Sequence, residues 1–138
     1  MSAWFSSEIG QASAIKMFRS VVVKGLEALF VESMTASAEY GVEARVLASL
    51  QETWPGIDWE KLAGYMIERV VSHGKRRAAE MREVSATLES IGMDPTMAAA
   101  TAARQQWIVD LGVKERLKGS KTEDRAELVR AIREAMGK

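Results

Sequence analysis

The 138-residue sequence contains no cysteine and a single histidine, His73. The lack of cysteine excludes a disulfide framework, a thiolate metal site and a cysteine nucleophile, and it is compatible with a reducing cytoplasm, where we expect the protein to lie. One histidine cannot build a metal site alone, and no carboxylates stand around His73 at ligand spacing. We therefore expect no bound metal.

The sequence also lacks an excess of charge and any long apolar run. Nineteen basic residues balance nineteen acidic ones, so no overall electrostatic attraction to nucleic acid or to an anionic membrane is expected. No apolar run approaches the ~20 residues of a membrane span, and the N-terminus lacks the pattern of a signal peptide. The content of 47% apolar and 28% charged residues is typical of one soluble domain.

Motifs of a self-sufficient enzyme are missing as well. The ten glycines form no phosphate-binding loop, and no serine stands in a nucleophile-elbow sequence. By these criteria the chain does not carry a complete active site of its own.

The pattern that is present is helical throughout and predicts an all-α fold in a single domain spanning 1–138. Gly41, Gly92 and Gly112 are predicted to follow helix ends, while Asp58 and Thr122 are predicted N-caps, and Asp94-Pro95 is predicted to cap and open a helix. Lys114 to Lys121 is predicted to be a loop. The predicted helices are Glu8–Tyr40, Glu43–Glu52, Asp58 through Val70, His73–Ile91, Pro95 to Leu111, and Glu123–Met136.

The first predicted helix is apolar on nearly every face, which is typical of a helix buried in the middle of a domain. Lys16 would then be a cation near the start of a core helix, with Arg19 and Ser20 beside it one turn on. Burial would let this lysine exchange a proton near neutral pH. Alternatively Lys16 packs its stem and extends its ammonium into water, as surface lysines commonly do.

A second candidate position is the start of the predicted helix at His73. At 100° per residue, His73, Arg77 and Glu80 share one side of this helix beside its apolar stripe. An arginine there can bind a carboxylate or phosphate through two hydrogen bonds. The alternative is a solvated basic turn in which Arg76 and Arg77 pair with Glu80.

At these two positions the sequence resembles a known superfamily. Residues 10–17 read Gly-x-Ala-Ser-Ala-x-Lys-Met, and residues 73–84 read His-Gly-x-Arg-Arg-Ala-x-Glu-Met-x-Glu-Val. Both strings resemble the C-terminal helical domain of 6-phosphogluconate dehydrogenase-like and β-hydroxyacid dehydrogenase proteins. The similarity is greatest to the phosphogluconate-dehydrogenase-like branch with a C-terminal domain of unknown function. It covers residues 8–112, and the loop and terminal helix of 113–138 lie outside it.

The resemblance implies an NAD(P)-dependent oxidoreductase acting on a small hydroxy acid or related alcohol. NAD or NADP would be held by an N-terminal dinucleotide-binding domain that is absent from this chain, so the chain alone is expected to bind no cofactor and to be inactive. Two chains would pack through their helical domains as a homodimer. Lys16 falls at the lysine that transfers the proton while a hydride moves between nicotinamide and substrate.

Arg19, Ser20, His73 and Arg77 would be the substrate contacts, with His73 and Arg77 acting across the dimer interface. Many relatives carry asparagines where this chain has Arg19 and Ser20, so the resemblance implies a different substrate. The rival hypothesis is a non-catalytic helical dimerisation or interaction module, which the over-long apolar helix supports. A DNA-binding role for Lys75, Arg76 and Arg77 is disfavoured by the zero net charge.

Overall fold

The computed structural model describes residues 8 to 138, so residues 1–7 of the expected domain lie outside the described residues. The prediction of an all-α fold is confirmed, since this part of the chain contains helices and no strand. None of these helices has the length and apolar character needed to cross a lipid bilayer. In chain order they are α1 Glu8–Glu39, α2 Glu43–Thr53, α3 Trp59–Ser90, α4 Thr96–Asp110, α5 Val113–Arg116 and α6 Arg125–Ala135.

Two antiparallel helices of 32 residues each, α1 and α3, form the frame of the molecule. Their central contacts are the pairs Lys24–Glu80 and Arg77–Glu27, which run in opposite directions along the two helices. Helix α4 packs against both, and α6 packs against α3 and the end of α1. The larger hydrophobic cluster lies where α1, α3 and α6 meet, and a smaller one joins α1, α3 and α4 at the other end.

The predicted interruption between Val70 and His73 is wrong, because α3 continues through this segment without a break. Gly74 lies inside this continuous helix, where α3 meets α4. A Cβ at this position would lie 3.0 Å from Cγ2 of Val109 and 3.3 Å from the carbonyl oxygen of Gln105. Glycine therefore allows α3 and α4 to approach closely at this position.

The helix ends are mostly as predicted. Asp58 caps α3 by accepting a hydrogen bond from the Lys61 amide, and Gly41, Gly92 and Gly112 all adopt positive φ after helix ends. The predicted cap at Thr122 is wrong, since Asp124 caps α6 by accepting from the Glu127 amide at 3.1 Å.

Two further end predictions need correction. Helix α4 begins at Thr96, so Pro95 occupies the cap position rather than the first helical one, and Asp94 binds the Thr96 hydroxyl instead of capping. The predicted loop at 114–121 contains most of the short helix α5, which follows Gly112 directly.

The expectation that α1 is buried along its length holds only for one side of its second half. Phe30, Val31 and Met34 lie in the core. Before Glu27, only one side of α1 is covered, through Met17 and Val21, which pack against the smaller cluster. The opposite side of this half carries large apolar side chains in contact with solvent.

Candidate functional site

Lys16 lies on the half of α1 that is covered on one side only, and its side chain is exposed. Of the two alternatives for Lys16, burial is therefore wrong for the described chain, and exposure of its side chain to water is confirmed. The side chain makes no hydrogen bond or ion pair within residues 8–138. Arg19, one turn on, is exposed as well. The structure thus places two cations side by side on the surface of α1, both without an ion-pair partner among residues 8–138.

Ser20 lies next to these cations, but its hydroxyl is already hydrogen-bonded within the helix. Its Oγ donates to the Lys16 carbonyl oxygen at 3.0 Å and accepts from Nζ of Lys24 at 3.4 Å. Lys24 in turn lies 3.0 Å from the Glu80 carboxylate on α3. Ser20 therefore links the Lys16 segment to the contact between α1 and α3. Its hydroxyl is less available to a ligand for this reason.

One side of α1 beside Lys16 and Arg19 is apolar and uncovered. We call it the α1 stripe, and its members share helical spacing and exposures between 37% and 69%: Ile15, Phe18, Val22, Leu26 and Leu29. Large exposed apolar surfaces of this kind mark contacts with another domain or chain. Lys16 is therefore placed at the border of a surface that a partner can cover.

Arg77 was expected to present its guanidinium to a substrate anion. In the described chain its Nη1 instead lies 2.9 Å from Oε2 of Glu27, and Gln105 donates to the same carboxylate from Nε2 at 3.3 Å. The expected pair between Arg77 and Glu80 is not formed, whereas the expected pair between Arg76 and Glu80 is present at 3.7 Å.

The Glu27 carboxylate is almost completely buried at the centre of these contacts. Burial raises its pKa, against the opposing attraction of Arg77 and Lys24. Two atoms nearby, Nε of Arg77 and Oε1 of Gln105, are buried and have no hydrogen-bond partner in the part of the chain that the structure describes. Sequence reasoning missed Glu27 as a site residue, although a lone carboxylate inside the apolar run 25–31 was a signal of the same kind as Lys16.

His73 faces a separate cavity of about 510 Å³ between α3, the end of α4 and α5, whose lining includes Gly74, Arg76, Val109 and Lys114. Its imidazole makes no hydrogen bond within the described residues. Burial lowers the pKa of His73, and the neighbouring arginines add to this effect. The lowered pKa favours the neutral ring, in which one nitrogen can donate a hydrogen bond to a ligand and the other can accept one.

The two candidate positions do not meet within one chain. Arg77 lies level with Glu27, so His73 lies level with residue 31 of α1, fifteen residues from Lys16. At 1.5 Å per residue this is a separation of roughly 20 Å along the helix axis. A small substrate at Lys16 cannot reach His73 of the same chain.

Comparison with known proteins agrees with the architecture. A family model described as a domain of unknown function, DUF1932, matches residues 37–108. An uncharacterized 28.5 kDa protein in the 7S RNA 5′ region of Methanothermus fervidus is 31% identical in an alignment of 98 residues that covers 69% of this chain and 38% of that protein.

Two solved structures are similar in both sequence and fold. A conserved hypothetical protein from Sinorhizobium meliloti 1021 is 36% identical, with a TM-score of 0.79 over 91% of this chain and 42% of that one. A conserved protein of unknown function, described as structurally similar to 3-hydroxyacid dehydrogenases, is 35% identical, with a TM-score of 0.66 over 80% of this chain and 41% of that one.

The chain thus spans roughly two fifths of the length of the relatives it matches. The family match and the two structures confirm the resemblance to the C-terminal helical domain of hydroxyacid dehydrogenase-like proteins. This chain belongs to the DUF1932 domain family.

Proposed function

We propose that this chain is the substrate-binding and dimerisation domain of an NAD(P)-dependent oxidoreductase that acts on a small hydroxy acid or related alcohol. The observation that carries the proposal is the placement of Lys16. Its ammonium has no partner among residues 8–138 and lies at the border of the α1 stripe, on the half of α1 that these residues cover on one side only. The description of one structural relative as similar to 3-hydroxyacid dehydrogenases supports the reaction class.

The chain's own residues do not fit a dinucleotide. Residues 8–138 form no strand, and the sequence has no glycine-rich turn to receive a pyrophosphate. NAD or NADP therefore requires a dinucleotide-binding domain outside this chain, and the nicotinamide chemistry belongs there. What this chain contributes is the group that handles the proton.

In this proposal Lys16 is the general acid and base. When an alcohol is oxidised, the neutral amine of Lys16 takes the hydroxyl proton, and in the reverse direction its ammonium returns a proton to the carbonyl oxygen. Covering the α1 stripe with another domain would exclude water around this amine and strengthen its interaction with the developing charge. No buried environment is needed in the chain alone.

The other expected contacts contribute unequally. Arg19 is exposed one turn from Lys16 and can bind a substrate carboxylate. Ser20 contributes less, because its hydroxyl is hydrogen-bonded within α1. His73 and Arg77 lie too far from Lys16 in the same chain, so they contact its substrate only if a second chain supplies them.

Replacement of Lys16 in the enzyme that joins this domain to its dinucleotide-binding domain tests the proposal. Lys16→Met should lower turnover about 10²–10⁴-fold with little change in cofactor affinity, because only proton transfer is removed. Lys61→Met is the matched control, since Lys61 is exposed near the start of α3, far from Lys16. Unchanged turnover in Lys16→Met would discard the catalytic role.

The alternative function is a non-catalytic helical dimerisation or interaction module. The specific observation in its favour is the α1 stripe, which remains uncovered whether or not Lys16 takes part in chemistry. This function predicts that Lys16→Met changes neither turnover nor any dinucleotide binding of a protein that contains the domain.

A further inference from the structure

The cavity that His73 faces, which we call the His73 cavity, has walls that are largely apolar. Val71, Ile108 and Val109 contribute aliphatic side chains to its lining. Gly74 contributes no side chain, so α3 and α4 approach closely there. With a volume of about 510 Å³, the cavity has the size and the apolar walls of sites that hold small organic molecules.

Charges of one sign dominate the same lining. Lys75, Arg76 and Lys114 line the cavity together with His73, and Glu115 is the one carboxylate among the described residues that does so. The neutral form of His73 leaves an excess of two positive charges there, although the chain as a whole has a formal net charge of zero. A cleft lined by charge of one sign raises the local concentration of ligands of the opposite sign.

These three cations remain available to a ligand. Nζ of Lys114 donates to the carbonyl oxygen of Ser72 at 3.3 Å, which holds the ammonium beside the cavity and leaves its charge without a carboxylate partner among residues 8–138. Arg76 lies 3.7 Å from Glu80, a distance longer than a hydrogen bond. Lys75 is exposed and has no ion-pair partner in the described part of the chain.

The imidazole of His73 adds a group with fixed direction to these mobile cations. It is half-buried in the wall of the cavity and can donate a hydrogen bond from one nitrogen. Arg77 does not contribute, because its guanidinium is bound to Glu27. The cavity thus combines apolar walls, one directed hydrogen-bond donor and an excess of positive charge.

We propose that the His73 cavity binds a small organic anion, in which a phosphate or carboxylate head is attached to an apolar body. The cations would hold the head, while the body would lie against Val71 and Val109. The excess of two positive charges favours the dianion of a phosphate monoester over the single charge of a carboxylate. The cavity lies roughly 20 Å from Lys16 of the same chain, so the proposal goes beyond the proposed function and does not rest on it.

Titration of the chain with small probes tests the proposal, and the ring resonances of His73, the only histidine, report binding. The probes are phenyl phosphate, benzoate, inorganic phosphate and benzyl alcohol. Phenyl phosphate should shift these resonances in a saturable way, and benzoate should do so with lower affinity. Inorganic phosphate lacks the apolar body and benzyl alcohol lacks the charge, so each should bind about tenfold or more weakly than phenyl phosphate.

Two variants locate the binding site. Lys114→Met removes one cation of the lining and should weaken the binding of phenyl phosphate about tenfold. Ala79→Glu places a carboxylate at an exposed position of the lining and should weaken it as well. Ala99→Glu is the matched control, since Ala99 is exposed on α4 and does not line the cavity. Circular dichroism of each variant controls for unfolding.

The absence of a saturable shift of His73 with phenyl phosphate and with benzoate would overturn the proposal. Binding that neither Lys114→Met nor Ala79→Glu weakens would overturn the assigned cavity, and equal affinity for inorganic and phenyl phosphate would contradict the role of the apolar walls. Lys16→Met should bind phenyl phosphate as tightly as the wild-type chain. A failure of the catalytic role of Lys16 would therefore leave this proposal intact, and a failure to bind these probes would leave the role of Lys16 untouched.

Discussion

Nη1 of Arg77 lies 2.9 Å from Oε2 of Glu27, which joins the middle of α3 to the middle of α1. Both side chains are largely removed from solvent, and Gln105 brings α4 to the same carboxylate. Burial nevertheless outweighs these partners and raises the pKa of Glu27. This contact fixes the crossing of three helices, and its carboxylate holds a proton more readily in the folded than in the unfolded chain.

The raised pKa of Glu27 gives stability a dependence on pH with a defined sign. The folded state binds this proton more tightly, so the contribution of Glu27 is fully present below its ordinary value of 4.5 and is lost as the pH rises through the raised pKa. Relative to Glu27→Gln, the wild-type chain should lose free energy of unfolding between pH 4.5 and the raised pKa. Denaturant unfolding of both proteins across this range measures the difference.

Glu80, which also lies between α1 and α3, should change stability with pH in the opposite direction. Burial opposes the shift, but the hydrogen bond and charge of Lys24 lower the pKa of Glu80 below its ordinary value. Its contribution is present above pH 4.5 and is lost as the pH falls through the lowered pKa. The difference in free energy of unfolding between wild type and Glu80→Gln should therefore change with pH in the opposite direction to the difference for Glu27→Gln. The same direction for both variants would contradict the assigned environments.

Replacement of Gly64 and of Gly25 by alanine should change the stability of the chain in opposite directions. A Cβ at Gly64 would lie 1.9 Å from the backbone oxygen of Glu123, so Gly64→Ala must displace the segment before α6 and should cost about 1–3 kcal/mol. A Cβ at Gly25 meets only Oγ1 of Thr101 at 3.7 Å, so Gly25→Ala should stabilise the chain by about 0.5–1 kcal/mol. Thermal unfolding of the two variants checks both directions.

His73 should titrate below its ordinary value of 6.5, because burial and then Arg69, Arg76 and Arg77 disfavour its charged form. Arg76→Gln should move this pKa upward by removing one of these cations, while Lys61→Gln, remote from the cavity, should leave it unchanged. The ring proton resonances of the only histidine report the titration without overlap. A titration at or above the ordinary value would refute the described surroundings of His73.

Helix type and most helix ends were predictable because they depend on local signals, such as Asp58 at a cap and Gly92 after a helix. The break predicted between Val70 and His73 is wrong, since α3 runs through this segment, where Gly74 lets α4 approach closely. The partner of Arg77 could not be predicted, because Glu27 lies fifty positions away and meets it only through tertiary packing.

The sequence left open whether Lys16 is buried or exposed for a related reason. A helix with apolar residues on every side is expected to be buried on every side. The pattern does not indicate whether the residues that bury it belong to the same chain. Here α3 and α4 cover one side, and the stripe from Ile15 to Leu29 is left for another domain or chain. The candidate residues were therefore identifiable from sequence, while the surface that completes their site was not.

Chemical rescue of Lys16 tests the central claim most directly. In the enzyme that joins this domain to its dinucleotide-binding domain, Lys16→Ala should lose about 10²–10⁴-fold in turnover. Added small primary amines should restore part of that loss in proportion to their concentration, while leaving Lys61→Ala unaffected. Turnover of Lys16→Ala that stays near the wild-type rate, or a loss that no amine restores, would contradict a proton-transferring role for Lys16.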